Sequence, residues 1–237
     1  MLTAVAIEAT DTRALAQFWA GALEWPLDED ASPGPRVAPP PASLPAAPRA
    51  ADGPIGLLFV PSARRKTRKN RLHLDLSGAS GQAREVDRLL ALGATRADIG
   101  QGDVPWDVLA DPEGNEFCVL PGAESDDHLA AICLDSADPG VQGRFWAAAT
   151  GWVVTDQGDW GIRLRSAAGT GPTLVMGPPV APKADRNRLQ PCLAPGSGHD
   201  AAAEIARLLT AGATRTDGPP QMLADPEGNE FRVADPG

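Results

Sequence analysis

Nine residues occur twice in this chain. Leu109 to Phe117 reads LADPEGNEF, and Leu223 to Phe231 reads the same, identical at every position. Missing an internal repeat miscasts a whole fold, so the repeat sets the frame for everything else. It extends well beyond the motif. Gly93-Ala94-Thr95-Arg96 returns as Gly212-Ala213-Thr214-Arg215, and Asn70-Arg71-Leu72 as Asn187-Arg188-Leu189. Phe18-Trp19 returns as Phe145-Trp146, and Trp25 as Trp152. The offset falls from 127 residues at Phe18/Phe145 to 114 at the final motif. Most of the shortfall lies around Ser32–Pro54, SPGPRVAPPPASLPAAPRAADGP, which reads as an insertion in the first copy. Proline denies both helix and ladder hydrogen bonds, so this stretch is expected to be a long loop. A surface insertion and a lid over a pocket both fit it. The copies are expected to be two domains, 1–122 and 127–237, joined through a short polar linker within Pro121–Asp127.

A second periodicity runs inside each copy. Ala4–Ile7 is a short apolar strand. Thr12–Leu23 places Ala14, Leu15, Phe18, Trp19, Ala22 and Leu23 at helical spacing, with Asp11 as N-cap. Strand signals end in Ile55–Val60. The pattern then restarts with a strand over Arg71–Leu76, a helix over Gln82–Leu92 closed by Gly93, and strands over Val104–Leu109 and Asn115–Leu120. Each copy therefore reads as a βαβββ unit used twice, an α+β fold.

Composition narrows the partners. A formal net charge of −10 disfavours non-specific binding to nucleic acid or anionic lipid. No apolar run approaches the length of a membrane span, about 20 residues. The N-terminal MLTAVAIEATDTR lacks the basic and long apolar segments of a signal peptide. The three cysteines, Cys118, Cys133 and Cys192, are odd in number and widely spaced. They suit free thiols in a reducing compartment, so a cytoplasmic location is expected.

Alternation along the strands assigns faces. In Leu72-His73-Leu74-Asp75-Leu76 the leucines share one side, and His73 and Asp75 the other. Glu116 and Cys118 share a face on the last strand, and Glu8 lies on the mixed face of the first. These five are expected to line one cavity, with Trp106 and Arg71 as further ligand contacts. His73, Asp75 and Glu116 form a candidate general acid/base cluster, since a histidine titrates near neutrality and carboxylates hold its tautomer. Each residue also has a plainer reading. His73 is equally a satisfied pocket histidine, Glu116 a brace of the repeated turn, Cys118 a small packed hydrophobe and Trp106 core. The basic run Arg64–Arg71, RRKTRKNR, is either a solvated loop or an anion clamp.

The segments ALAQFWAGALEW, NRLHLDL, RLLALGATR and DPEGNEFCVL together resemble the vicinal oxygen chelate superfamily of glyoxalases, bleomycin-resistance proteins and dioxygenases. They are most similar to its actinobacterial glyoxalase-like subgroup. The resemblance implies tandem glyoxalase-like domains, each of two βαβββ modules forming a curved mixed sheet around a cavity. It implies a small-molecule ligand, and a pseudo-dimer within one monomeric chain. Metal-dependent members place ligands at positions that correspond here to Ala4, to the apolar stretch Ile55–Phe59, to His73 and to Cys118. Such sites need three or four N/O donors. No metal is therefore expected, and any bound ion would have to use His73 and Glu116. Two functions remain open. One is a metal-independent enzyme of the lyase or isomerase class, acting by acid/base chemistry on a small carbonyl or polyketide-like metabolite. The other is a non-catalytic protein that sequesters a drug or metabolite. The swaps His73 to Gln190, Asp75 to Cys192 and Cys118 to Arg232 point to the first copy as the working one.

Overall fold

A computed structural model describes residues 1–40, 54–78, 81–122, 128–196 and 200–234. Four βαβββ modules follow one another along the chain. The first holds β1 (Leu2–Ala9), α1 (Thr12–Leu23), β2 (Leu27–Asp28), β3 (Arg36–Val37) and β4 (Gly56–Pro61). The second holds β5 (Leu72–Ser77), α2 (Gln82–Ala91), β6 (Thr95–Arg96), β7 (Asp107–Ala110) and β8 (Glu116–Leu120). The third holds β9 (Leu129–Asp135), α3 (Pro139–Thr150), β10 (Val153–Gly158), β11 (Gly161–Arg165) and β12 (Thr173–Gly177). The fourth holds β13 (Leu189–Leu193), α4 (Ala201–Thr210), β14 (Thr214–Arg215), β15 (Met222–Ala224) and β16 (Glu230–Val233).

These modules build two eight-stranded mixed sheets, in the orders β14-β15-β16-β13-β1-β4-β3-β2 and β10-β11-β12-β9-β5-β8-β7-β6. Neither sheet belongs to one copy of the repeat. The first joins modules one and four through the antiparallel pair β1–β13. The second joins modules two and three through the antiparallel pair β5–β9. Within every module the first and last strands run parallel. The functional face therefore has to be read across the copies.

The helices form where the caps and apolar spacing place them. Asp11 accepts the N–H of Ala14 at 2.9 Å to start α1, and Asp138 caps α3 through Val141 in the same way. Gly93, after α2, has φ +110°, the left-handed region that glycine enters without a Cβ penalty. Phe18, Trp19 and Phe117 stack edge-on in the first copy, and Phe145, Trp146 and Phe231 in the second. One continuous core takes in the apolar faces of both sheets. The proline-rich stretch is not loop throughout. Arg36 and Val37 pair with Leu58 and Leu57, and the burial of Val37 in the core holds them there. Residues 41–53 of that stretch and 123–127 of the linker lie outside the described residues.

Candidate functional site

The repeated motif works as a bracket. Asp111 is buried and accepts hydrogen bonds from the backbone N–H of Glu113 and Asn115, the Asn115 amide and the Trp19 indole. Burial raises its pKa against the pull of those donors, and Asp225 behaves likewise in the second copy. Glu113 accepts both N–H groups ahead of α1, from Thr10 and Asp11, and pairs at 2.8 Å with Arg188 of the other copy. Glu227 does the same before α3 and pairs with Arg71 at 3.2 Å. The motif is thus conserved between the copies by geometry: it locks each helix start to the opposite half of the molecule.

The basic run meets carboxylates of the protein itself. Arg64 and Arg186 both pair with Glu8, at 3.0 and 2.6 Å. Lys66 pairs with Glu116 at 2.5 Å and Lys69 with Asp135 at 2.8 Å. Lys183–Glu230 repeats the Lys66–Glu116 pair at 2.8 Å. Residues 64–72 and 182–189 line a cavity of about 290 Å3, and a second of about 440 Å3 lies near Arg186, Arg215 and Glu230. Neither is lined by His73, Asp75 or Cys118.

Those three residues come together elsewhere, on the face of the β5 sheet turned away from the helices. Leu72, Leu74 and Leu76 enter the core, so His73 and Asp75 project from the opposite side. Register sets Cys133 opposite His73, Ala131 opposite Asp75, and Cys118 beside Asp75. His73 Nε2 lies 3.4 Å from Asp75 Oδ1, with the two side chains 21% and 13% exposed. Cys133 Sγ donates to Asp75 Oδ2 at 3.1 Å. Ligating atoms of His73, Asp75 and Cys118 all fall within 4.8 Å of one another.

The other expected site residues go different ways. Glu116 lies outside that cluster and is held by Lys66 and the N–H of Asn70. Glu8 is on the β1 sheet, not on the His73 face, and its carboxylate is occupied by Ser62, Arg64 and Arg186. Arg71 is turned to Glu227. Trp106 is exposed just before β7. These residues do not share one cavity among the described residues: Glu8 lies in the other sheet, and beside the β5 sheet Glu116 and Arg71 are taken up by Lys66 and Glu227. The same topology sets residues of the second copy beside the first copy's His73 and Asp75. The β5 face also carries Cys133, Thr173, Arg163 and Arg165 from the second. The alternation in Gly-Ile-Arg-Leu-Arg was legible in the sequence: Ile162 and Leu164 enter the core, which turns both arginines outward.

The corresponding face of the β1 sheet sets Ala4, Ala6 and Cys192 against Leu58, with Gln190 and Arg232 hydrogen-bonded to each other beside them. A Glyoxalase-like domain model matches residues 4–120 and 131–234. The chain belongs to the glyoxalase-like family. Two solved structures share the arrangement over nearly the whole chain. Glyoxalase I from Zea mays aligns with a TM-score of 0.64 at 13% identity, covering 99% of this chain and 92% of that one. A putative dioxygenase from Bacillus subtilis aligns with a TM-score of 0.63 at 14% identity, covering 100% and 85%. At such identities the likeness is one of fold. A search of curated proteins found no match. The glyoxalase-like fold supports small-molecule binding, and no helix among the described residues is long and apolar enough to cross a membrane.

The thiols of this glyoxalase-like protein are held neutral. Burial pushes Cys118 and Cys133 up, and the charge of Asp75 adds to it. Burial pushes Cys192 from 9.0 up to about 11. Only thiolates alkylate readily. Iodoacetamide at pH 8 is therefore expected to leave all three unmodified in the native protein and to label all three after denaturation, read by mass spectrometry. Above pH 9 the unfolded chain loses protons that the native state keeps, so stability falls as pH rises toward 11. Cys192 alone contributes about 2–3 kcal/mol to that fall. Cys192→Ala should flatten the alkaline limb, and an unchanged limb would show that burial is not what holds the proton.

Proposed function

We propose that this protein binds a small carbonyl metabolite on the face of the β5 sheet and moves a proton on it with His73. The observation that carries this reading is the His73–Asp75 pair, 3.4 Å apart and partly open to solvent on the outer face of the sheet. A neutral imidazole accepts a proton from carbon next to a carbonyl. The carboxylate beside it holds the ring and stabilises the imidazolium that results. The buried thiols of Cys118 and Cys133 stay protonated and shape the floor, Cys133 steadying Asp75 through its hydrogen bond. Glu116 takes no part, since Lys66 and Asn70 use both of its oxygens.

The metal centre of the superfamily does not fit this face. Three ligating groups converge, but only His73 and Asp75 offer N/O donors, and the third is the buried thiol of Cys118. The next strand presents Ala131 at the same level. Elemental analysis is expected to find well under one transition metal per chain, and dialysis against chelator to leave ligand binding unchanged. Near-stoichiometric metal whose removal abolishes binding would overturn this part of the reading.

The function is tested in deuterium oxide with a panel of small oxo compounds. The protein should speed exchange of the protons next to the carbonyl, followed by proton NMR, and His73→Gln should slow it by about 10²- to 10⁴-fold. Equal rates in the two proteins would reject His73 as the base. Binding of panel members with no exchange above buffer would instead support the sequestering role, in which the same face holds a ligand without chemistry.

A further inference from the structure

The β5 face carries two cations that no carboxylate of the described residues answers. Among the described residues neither Arg163 nor Arg165 forms an ion pair, although the cations of the basic run are largely paired. Arg163 lies over the Trp160 ring at 5.4 Å, a cation–π contact that leaves the edge of its guanidinium free. Arg165 has no such support, and its Nε is shut off from solvent without a hydrogen-bond partner. Asp75 Oδ1 has no hydrogen-bond partner either, with the His73 ring 3.4 Å away. A buried polar atom left unsatisfied in a folded protein calls for an explanation, and a missing ligand is one.

Register places these groups in line. Arg163 stands opposite Val175, Val175 beside Cys133, and Cys133 opposite His73. Arg165 follows one step beyond the Leu164–Leu174 pair, and so falls beside Thr173. Thr173 is next to Ala131, which is opposite Asp75. Two rows therefore cross the sheet, each with an arginine at the β11 end and a member of the His73–Asp75 pair at the β5 end. Three interstrand steps leave a gap of about 14 Å between the Cα atoms of Arg165 and Asp75. Between them lie Ala131, Thr173 and Val175, which are small or apolar. The gap suits a short carbon skeleton with an anionic group at one end and an oxygen function at the other.

We infer that the ligand of this face is a small carboxylic acid whose carboxylate is gripped by Arg165, with Arg163 beside it, while its oxo or hydroxyl end meets His73 and Asp75. This rests on the proposed use of the β5 face and names the class of molecule it takes. A guanidinium fork matches a carboxylate in two parallel hydrogen bonds, which gives direction as well as attraction. The arginines come from the second copy and the acid/base pair from the first, so the composite sheet is what makes the site two-ended.

The test is equilibrium binding by calorimetry, with levulinate and 5-oxohexanoate set against their neutral amides. Wild-type protein is expected to bind each acid about tenfold or more tightly than its amide. Arg165→Gln should weaken the acids to the level of the amides while leaving the amides unchanged, and Arg165→Lys should restore only part of the difference. A melting curve matching wild type shows that each variant is folded. Acids and amides binding alike, no detectable binding of either acid, or an acid preference that survives Arg165→Gln would each overturn the proposal. The readout is affinity, so it is separate from the exchange test. An acid preference that depends on Arg165 stands even if His73→Gln leaves exchange untouched, and loss of exchange in that variant does not rescue a ligand that ignores Arg165.

Discussion

Asp111→Ala is expected to lower the stability of this protein by about 2–4 kcal/mol, although Asp111 touches no ligand face. At this chain length that is a fall in melting temperature of roughly 5–15 °C. Its carboxylate answers the indole N–H of Trp19, the N–H groups of Glu113 and Asn115, and the Asn115 amide, all in a buried setting. Truncation leaves those donors without partners where water does not reach, and it releases the turn that aims Glu113 at the start of α1. Asp111→Asn should be little better, because the new amide brings a donor into a ring of donors. The raised pKa of Asp111 gives the accompanying pH signature. The native state takes up its proton before the unfolded chain does, so the group becomes less costly as pH falls toward its ordinary value of 3.8. The stability gap between wild type and Asp111→Ala should accordingly not shrink when pH is lowered from 7 to 5. Asp225→Ala should behave as a close copy, since Asp225 makes the same bonds to Trp146, Glu227 and Asn229 and adds Gln142. A melting temperature within a degree or two of wild type would mean that the motif is held by something other than these bonds.

Much of this was legible in the sequence because the repeat carries its own control. DPEGNEF persists in a copy that has lost the histidine, which is what a structural bracket does and a catalytic motif does not. The βαβββ modules, the Asp11 cap and the glycine closing α2 followed from apolar spacing and local chemistry, which depend on neighbours in the chain. Face alternation found His73, Asp75 and Cys118 for the same reason: one strand and its parallel neighbour within a module were enough. The errors share a cause. Glu8 was grouped with His73, and Arg163 and Arg165 were overlooked, because local periodicity says which side of a strand a residue takes but not which strands become neighbours. Pairing β5 with β9, and β1 with β13, is a long-range choice made by the packing of the whole chain. Partners of charged residues were hidden likewise. Lys66 and Glu116 are 50 positions apart and Arg188 and Glu113 are 75 apart, so a basic run that looked available to an anion turned out to be largely spoken for.

The composite sheets carry the other large prediction. If domains 1–122 and 127–237 were self-sufficient, cutting between them would yield two folded monomers. The topology says otherwise. Alone, residues 1–122 would expose β1 along the edge that β13 covers and β5 along the edge that β9 covers. Unpaired central strands with buried neighbours such as Val5, Ile7, Leu72 and Leu74 are templates for association with another chain. The half would also strand Arg71 without Glu227, and Glu113 without Arg188, both pairs being mostly buried. Removing one partner of a buried charge pair costs about 3–5 kcal/mol, on the order of the whole stability of a small domain. Residues 1–122 expressed alone are therefore expected to self-associate or to lack a cooperative melting transition. Mixed in equal amounts with residues 127–237, they should form a one-to-one complex that melts near the intact chain and binds the same acids, because β5, β9 and β11 are then reunited on one face. Sedimentation and calorimetry on the halves and on the mixture decide it. A stable monomer of residues 1–122 with a native-like transition would mean that each copy can close its own sheet, and that the arrangement across the copies is one of two folds open to this sequence.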